Sequence, residues 1–196
     1  LARYDGILGS MANPALLLSP LTTQEAVLSS RIEGTQATMC EVLEFEADSA
    51  AIDDPTGRKR GDIQEVLNYR RAMWNSVDLL KKLPLCQRII IEAHRILMDG
   101  VRGANRAPGE YRKVPNWIGT EGCTMEQARY VPISAGELPE AMSRWERFIH
   151  EKSACGDHLV RLAILHSEFE ALHPFLDGNG RLGRMFLPLY LFKTGL

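Results

Sequence analysis

The sequence predicts a mainly helical, all-α domain carrying one small β-hairpin flap. Two observations predict it. Apolar residues recur at three- and four-residue spacing through most of the chain. Only residues 100–136 break that rhythm, with six glycines and three prolines among them.

The elements follow in order. Residues 22–34 read as a short helix, with Thr22 and Glu25 as a capping box and Gly34 as its C-cap. Residues 48–61, holding Asp53-Asp54-Pro55 and Arg58-Lys59-Arg60-Gly61, read as an exposed connection with a solvated basic triplet. After Asp62 as N-cap, Ile63, Val66, Leu67, Arg70, Met73, Trp74, Val77 and Leu80 form the first long stripe. Leu85, Ile89, Ala93, Ile96 and Leu97 form the second, stopped by Gly100. In the interruption, Trp117-Ile118-Gly119 and Tyr130-Val131-Pro132-Ile133 are the only extended pieces, hence the flap over roughly 115–133. Leu138, Met142, Trp145 and Ile149 give the third stripe. Leu159, Leu162, Ala163, His166, Phe169 and Leu172, capped by Asp157, give the fourth. A fifth helix begins near Gly180 and passes Phe186 and Leu189, with Pro188 as a kink or boundary. Two units are expected: a helical segment over 1–50 and a core over 51–196.

Composition narrows the function classes. At 45% hydrophobic and 24% charged residues the chain is ordinary globular material. Its net charge of −2 carries no nucleic-acid footprint. Cys40, Cys86, Cys123 and Cys155 are widely spaced with no CxxC pair, the pattern of a reduced, cytoplasmic protein. The most apolar run, Met185 to Phe192, is too short to span a bilayer, so no membrane role is expected. The first residues lack a signal-peptide pattern, and both ends, Leu1 and Leu196, read as cuts from a longer protein.

The chemistry concentrates in His173-Pro174-Phe175-Leu176-Asp177-Gly178-Asn179-Gly180-Arg181-Leu182-Gly183-Arg184. Gly178 and Gly180 can turn successive N–H groups into one concavity, an anion nest, at the start of the fifth helix with its positive dipole end. Asp177 is a hard oxygen ligand suited to Mg²⁺ on phosphates. Arg181 and Arg184 share a helix face. His173, at the end of the preceding helix, can take a proton from a hydroxyl, and Phe175 anchors the loop from beneath. Two other motifs fail on context. The G-x-G-x-x-G within this run follows a helix rather than a strand, and the chain ends before the required acidic residue. Glu170-Ala171-Leu172-His173 is half of a di-iron site without its second copy, and His166 reads as a core histidine.

The run matches His-x-Phe-x-(Asp/Glu)-Gly-Asn-Gly-Arg-x-x-Arg at every fixed position, so the chain resembles the Fic family of AMP-transferases. The resemblance implies the Fic fold, with His173 as base, Asp177 as Mg²⁺ ligand and Gly178 to Gly180 as the nest. Asn179 and Arg181 would meet the α- and β-phosphates of ATP, and Arg184 the γ-phosphate. Gly178 follows the acidic residue, as in AMP-transferring members. Upstream, Ser29-Ser30-Arg31-Ile32-Glu33-Gly34 matches the family's inhibitory pattern (Ser/Thr)-x-x-x-Glu-(Gly/Asn). There Glu33 would occupy Arg184, and Ser29, one turn away, would hold the carboxylate. The implied reaction is AMP transfer to a Ser, Thr or Tyr hydroxyl of a protein docked on the flap near 115–133, self-modification included. Removal of AMP by water, and nucleotide sensing without turnover, are the rival expectations.

Overall fold

The computed structural model describes residues 6, 15–48, 54, 56–120, 122–151 and 156–196. Residues 49–53 and 55 of the expected connection, and Cys155, lie outside the described residues. Among the described residues there are seven α-helices: α1 (Ala15–Ile32), α2 (Met39–Ala47), α3 (Arg58–Leu80), α4 (Gln87–Leu97), α5 (Leu138–His150), α6 (His158–Leu172) and α7 (Asn179–Thr194). None is long and apolar enough to cross a membrane.

The stripes become the core. Ile63, Val66, Leu85, Ile89, Ala93, Leu97, Leu138, Met142, Trp145, Phe169 and Leu172 are all buried. α7 is the central helix, packed against α6, α3, α4 and α1. It is anchored by Leu182, Met185, Phe186 and Leu189, each almost wholly removed from solvent. Trp145 packs its ring on Phe169 and Phe186 and donates its indole N–H to the Leu165 carbonyl (2.8 Å). The motif therefore runs from the end of α6 into a helix packed on four others.

Several expectations change. α1 begins well before residue 22, so Thr22 and Thr23 are interior and donate their hydroxyls back to the Ser19 carbonyl (2.9 and 3.0 Å). The capping box lies instead at Thr38 and Glu41, opening α2. α3 starts at Arg58, with Gly57 as N-cap in the left-handed region, so Asp62 is not a cap; its carboxylate accepts from the Gln36 N–H (2.8 Å). The basic triplet is thus helical, and Lys59 pairs with Glu41 (2.7 Å). Trp74 and Leu159 stand exposed, whereas Tyr69 and Ala72 are buried in their stripe. Pro188 neither ends nor bounds α7, which runs on to Thr194. The cap residues expected at Asp157 and Gly34 do cap: Asp157 accepts from the N–H groups of Leu159 and Val160, and Gly34 turns at φ +94°.

No β-strand is present among the described residues, so the hairpin flap is reduced to one antiparallel bridge between Ile118 and Tyr130. The Ile118 N–H reaches the Tyr130 carbonyl at 2.8 Å, and both Arg129 and Tyr130 donate back to the Ile118 carbonyl. Sharing one carbonyl between two donors breaks the alternation a ladder needs. A 3₁₀ turn at Met125–Gln127 occupies the space between.

Candidate active site

His173 terminates α6 in the left-handed region, φ +46° and ψ +60°, a conformation that carries strain for any residue with a side chain. Two neighbours over-determine it. Arg112, buried, donates to the carbonyls of His173 (3.0 Å), Leu172 (3.2 Å) and Ile133 (2.7 Å). Its own N–H reaches the Pro174 carbonyl (2.9 Å), and the Asn116 carboxamide donates to the carbonyls of His173 and Phe175 (3.2 and 3.0 Å). Burial holds the His173 imidazole below its ordinary pKa, opposed by the nearby Glu170 carbonyl and reinforced by the Arg112 charge. A neutral, proton-accepting ring is therefore favoured.

The loop that follows is closed from inside. Phe175 is fully buried and stacked on His94 at 3.8 Å between ring centres. Asn179 spends its carboxamide on the loop itself, accepting the Phe175 N–H (2.9 Å) and donating to the Phe175 carbonyl (2.8 Å). Its side chain is thus committed to shaping the loop. His94 accepts the Gly109 N–H at Nδ1 (2.8 Å), which makes Nε2 the protonated nitrogen donating to the Asp177 carbonyl (3.0 Å). Burial drives the His94 pKa down to about 4, so this neutral tautomer persists.

Gly178 is the N-cap of α7 at φ +77°, a turn that only glycine makes without strain. The first N–H groups of α7 point outward without intrahelical acceptors, beside the positive dipole end. Asp177, with its side chain 41% exposed, accepts the Gly178 N–H at Oδ1 (2.6 Å).

The two arginines part company. Arg181 is 2% exposed and paired with the equally buried Glu65 of α3 (3.2 Å), with Asp177 Oδ1 at 3.8 Å. Glu65 also accepts the Thr35 hydroxyl (2.8 Å). Arg184 reaches across to α1. Its Nε donates to the Ser29 hydroxyl (2.9 Å), and its Nη2 donates to the Ser29 carbonyl (3.0 Å) and to Glu33 Oε1 (2.6 Å). Ser29 therefore grips the guanidinium through both its hydroxyl and its carbonyl oxygen, and its hydroxyl also bonds the Tyr69 side chain. The Glu33 carboxylate lies over Gly180 so closely that a Cβ there would collide with it.

His94, Glu65, Arg112 and Asn116 escape a reading by periodicity. His94 alone leaves a signal, since it shares the apolar face of Ile90 and Leu97. The others reach the motif from 50 or more positions away, Arg112 and Asn116 at His173 and Glu65 at Arg181.

Comparison with known proteins agrees with the geometry. Residues 84–191 match the Fic/DOC family, and residues 1–78 match the Fic/DOC family N-terminal region. The chain is 28% identical over 169 residues to the protein adenylyltransferases Fic of Drosophila ananassae and Drosophila grimshawi. That alignment takes in 84% of this chain but only 31% and 32% of those proteins, so the chain spans about a third of their length. In fold it is similar to a Fic domain containing signaling protein from Bacteroides thetaiotaomicron. That likeness has a TM-score of 0.74 at 21% identity, covering 93% of this chain and 68% of the other. Fic-1 from C. elegans gives a TM-score of 0.65 at 21% identity, covering 86% and 47%. With the signature loop seated on the central helix and a family match over more than half its length, the chain belongs to the Fic/DOC family.

Proposed function

We propose that the chain moves AMP from ATP to a Ser, Thr or Tyr hydroxyl of a protein, releasing pyrophosphate, and that Glu33 holds it in check. The observation that carries the reading is Arg184, the one guanidinium of the loop not buried in the core, engaged by Glu33 and Ser29. In the active arrangement His173 takes the proton of the target hydroxyl. Its oxygen bonds to the α-phosphorus, and the bond from that phosphorus to the β-bridging oxygen breaks. The N–H groups opening α7 receive phosphate oxygens, and Arg184 receives the γ-phosphate once Glu33 lets go.

Asp177 would hold Mg²⁺. Its carboxylate is half exposed, with Oδ2 facing Gly103, and no cluster of three or more His, Cys, Asp or Glu competes for the ion among the described residues. One carboxylate completed by phosphate oxygens and water is a usual Mg²⁺ setting, and the ion would neutralise charge on the departing pyrophosphate. The exposed apolar surface of Trp117, Ile118, Tyr130 and Val131 supports docking of an extended target segment there. Free thiols at Cys40, Cys86 and Cys123 support a cytoplasmic setting.

The deciding experiment incubates the protein with ATP labelled at the α-phosphate, with and without Mg²⁺, and follows label on protein. Mg²⁺-dependent labelling that His173→Ala abolishes is the expected result. Label from the γ-phosphate alone would refute AMP transfer, and loss of label from premodified protein would favour AMP removal.

A further inference from the structure

Arg102 lies in the loop between α4 and the Ile118–Tyr130 bridge, outside both motifs. The loop is fixed at two points. Val101 is buried, and Gly103 sits so close to Asp177 Oδ2 and Met98 Cε that a Cβ would meet them at 2.6 and 2.7 Å. From between those anchors the Arg102 side chain extends to the end of α1. Its Nη2 donates to the carbonyl of Glu33 (3.1 Å), and its Nε lies 3.7 Å from Glu65 Oε1. That carbonyl belongs to the negative end of α1, where a cation both satisfies a free acceptor and meets the helix dipole. Glu65 is the carboxylate that also holds Arg181 and Thr35.

We propose that Arg102 is a positioning residue that latches the end of α1, fixing the Glu33 backbone so that its carboxylate meets Arg184. This rests on the reading of Glu33 as a brake. Two arginines then grip one residue from opposite sides: Arg184 takes the carboxylate and Arg102 the carbonyl. The main-chain hydrogen bonds that close the turn, from Glu33 and Thr35 to the Ser30 carbonyl and from Gly34 to the Arg31 carbonyl, span the segment the latch holds. With Arg102 gone, that turn loses its backbone tie to the loop beside Asp177, and Glu33 samples positions away from Arg184 more often.

The side chain is 63% exposed, so Arg102→Ala should fold, and its effect should match an exposed charged contact, on the order of two- to five-fold. Two measurements test it on the full chain. Hydrogen exchange should show the amides of Glu33, Gly34 and Thr35 exchanging two- to five-fold faster in Arg102→Ala, with Arg102→Lys in between. Unchanged exchange there overturns the latch whatever the activity does. AMP labelling should rise two- to five-fold in Arg102→Ala, and the change should vanish in a Glu33→Gly background. If Glu33→Gly raises labelling while Arg102→Ala leaves or lowers it, the latch fails and the brake stands. If Glu33→Gly itself gives no rise, the brake fails and takes the latch with it.

Discussion

Replacing Glu33 with glycine should raise AMP transfer. The carboxylate sits 2.6 Å from the Arg184 guanidinium, with side-chain exposures of 36% and 21%. A pair so placed is only partly desolvated, at the upper end of the exposed range, about 1 kcal/mol. Glu33 follows the last residue of α1, so glycine there avoids most of the helix-interior penalty. Stability should therefore fall by about 1 kcal/mol, or roughly 2–4 °C in Tm for a chain of this size. The rate should move the other way and further. Freeing the guanidinium removes a competitor worth about fivefold in ATP occupancy of the site. If the γ-phosphate then draws the α-phosphorus into line, misplacement that can cost about 10²-fold is recovered as well. Ser29 still holds Arg184 through two oxygens, so the freed arginine stays in position. The assay is labelling from α-labelled ATP by wild type, Glu33→Gly, and Glu33→Gly combined with Arg184→Ala, at equal concentration. A rise between about 5- and 500-fold in the single variant, cancelled in the double, is expected. Labelling at or below wild type in Glu33→Gly would refute the reasoning, since the pairing would then be a tether without consequence for the phosphates.

Two other outcomes follow from buried charge and buried imidazole. Glu65→Ala strands the guanidinium of Arg181 in the core, which should destabilise the fold by about 3–5 kcal/mol; a thermal melt displaced by less than a few degrees would show the pair to be dispensable. His94 stays neutral to about pH 4 in the fold but titrates near 6.5 when unfolded, so the unfolded chain binds the extra proton between those values. Stability should thus be full above pH 6.5 and fall on acidification, by about 2 kcal/mol at pH 5. Urea midpoints at pH 7.5 and 5 measure it, and a His94→Gln variant whose midpoint falls as far as wild type would reject His94 as the source.

The legible parts of this molecule are those written locally. The stripes from Ile63 to Phe186 announce their helices because a 3.6-residue period is a property of neighbours in sequence, and the glycine signature announces its turn for the same reason. What stayed hidden is paired across distance. Nothing near Glu65 distinguishes it from a solvated helix carboxylate until Arg181 arrives 116 residues later. Arg112 looks like any loop arginine until α6 ends against it. A strand-like pattern around Ile118 and Tyr130 specifies a surface, not a partner, and a single bridge forms there among the described residues. The Thr22–Glu25 spacing imitates a capping box, although the helix runs through it from Ala15.

Asn179-Gly180 is also the dipeptide most prone to spontaneous deamidation, in which the glycine nitrogen attacks the asparagine carboxamide. The fold withholds both reactants. The carboxamide is buried and bonded at both ends to the Phe175 backbone, and Gly180 is locked in the first turn of α7. Only an unfolding excursion brings the two atoms together. A carboxylate arriving at position 179 could accept the Phe175 N–H but not donate to the Phe175 carbonyl, and it would set a negative charge where phosphates are to bind. The chemical lifetime of the loop is therefore set by the fraction of time the chain spends unfolded, so substitutions far from the site that loosen the core should age the loop as well as soften the fold.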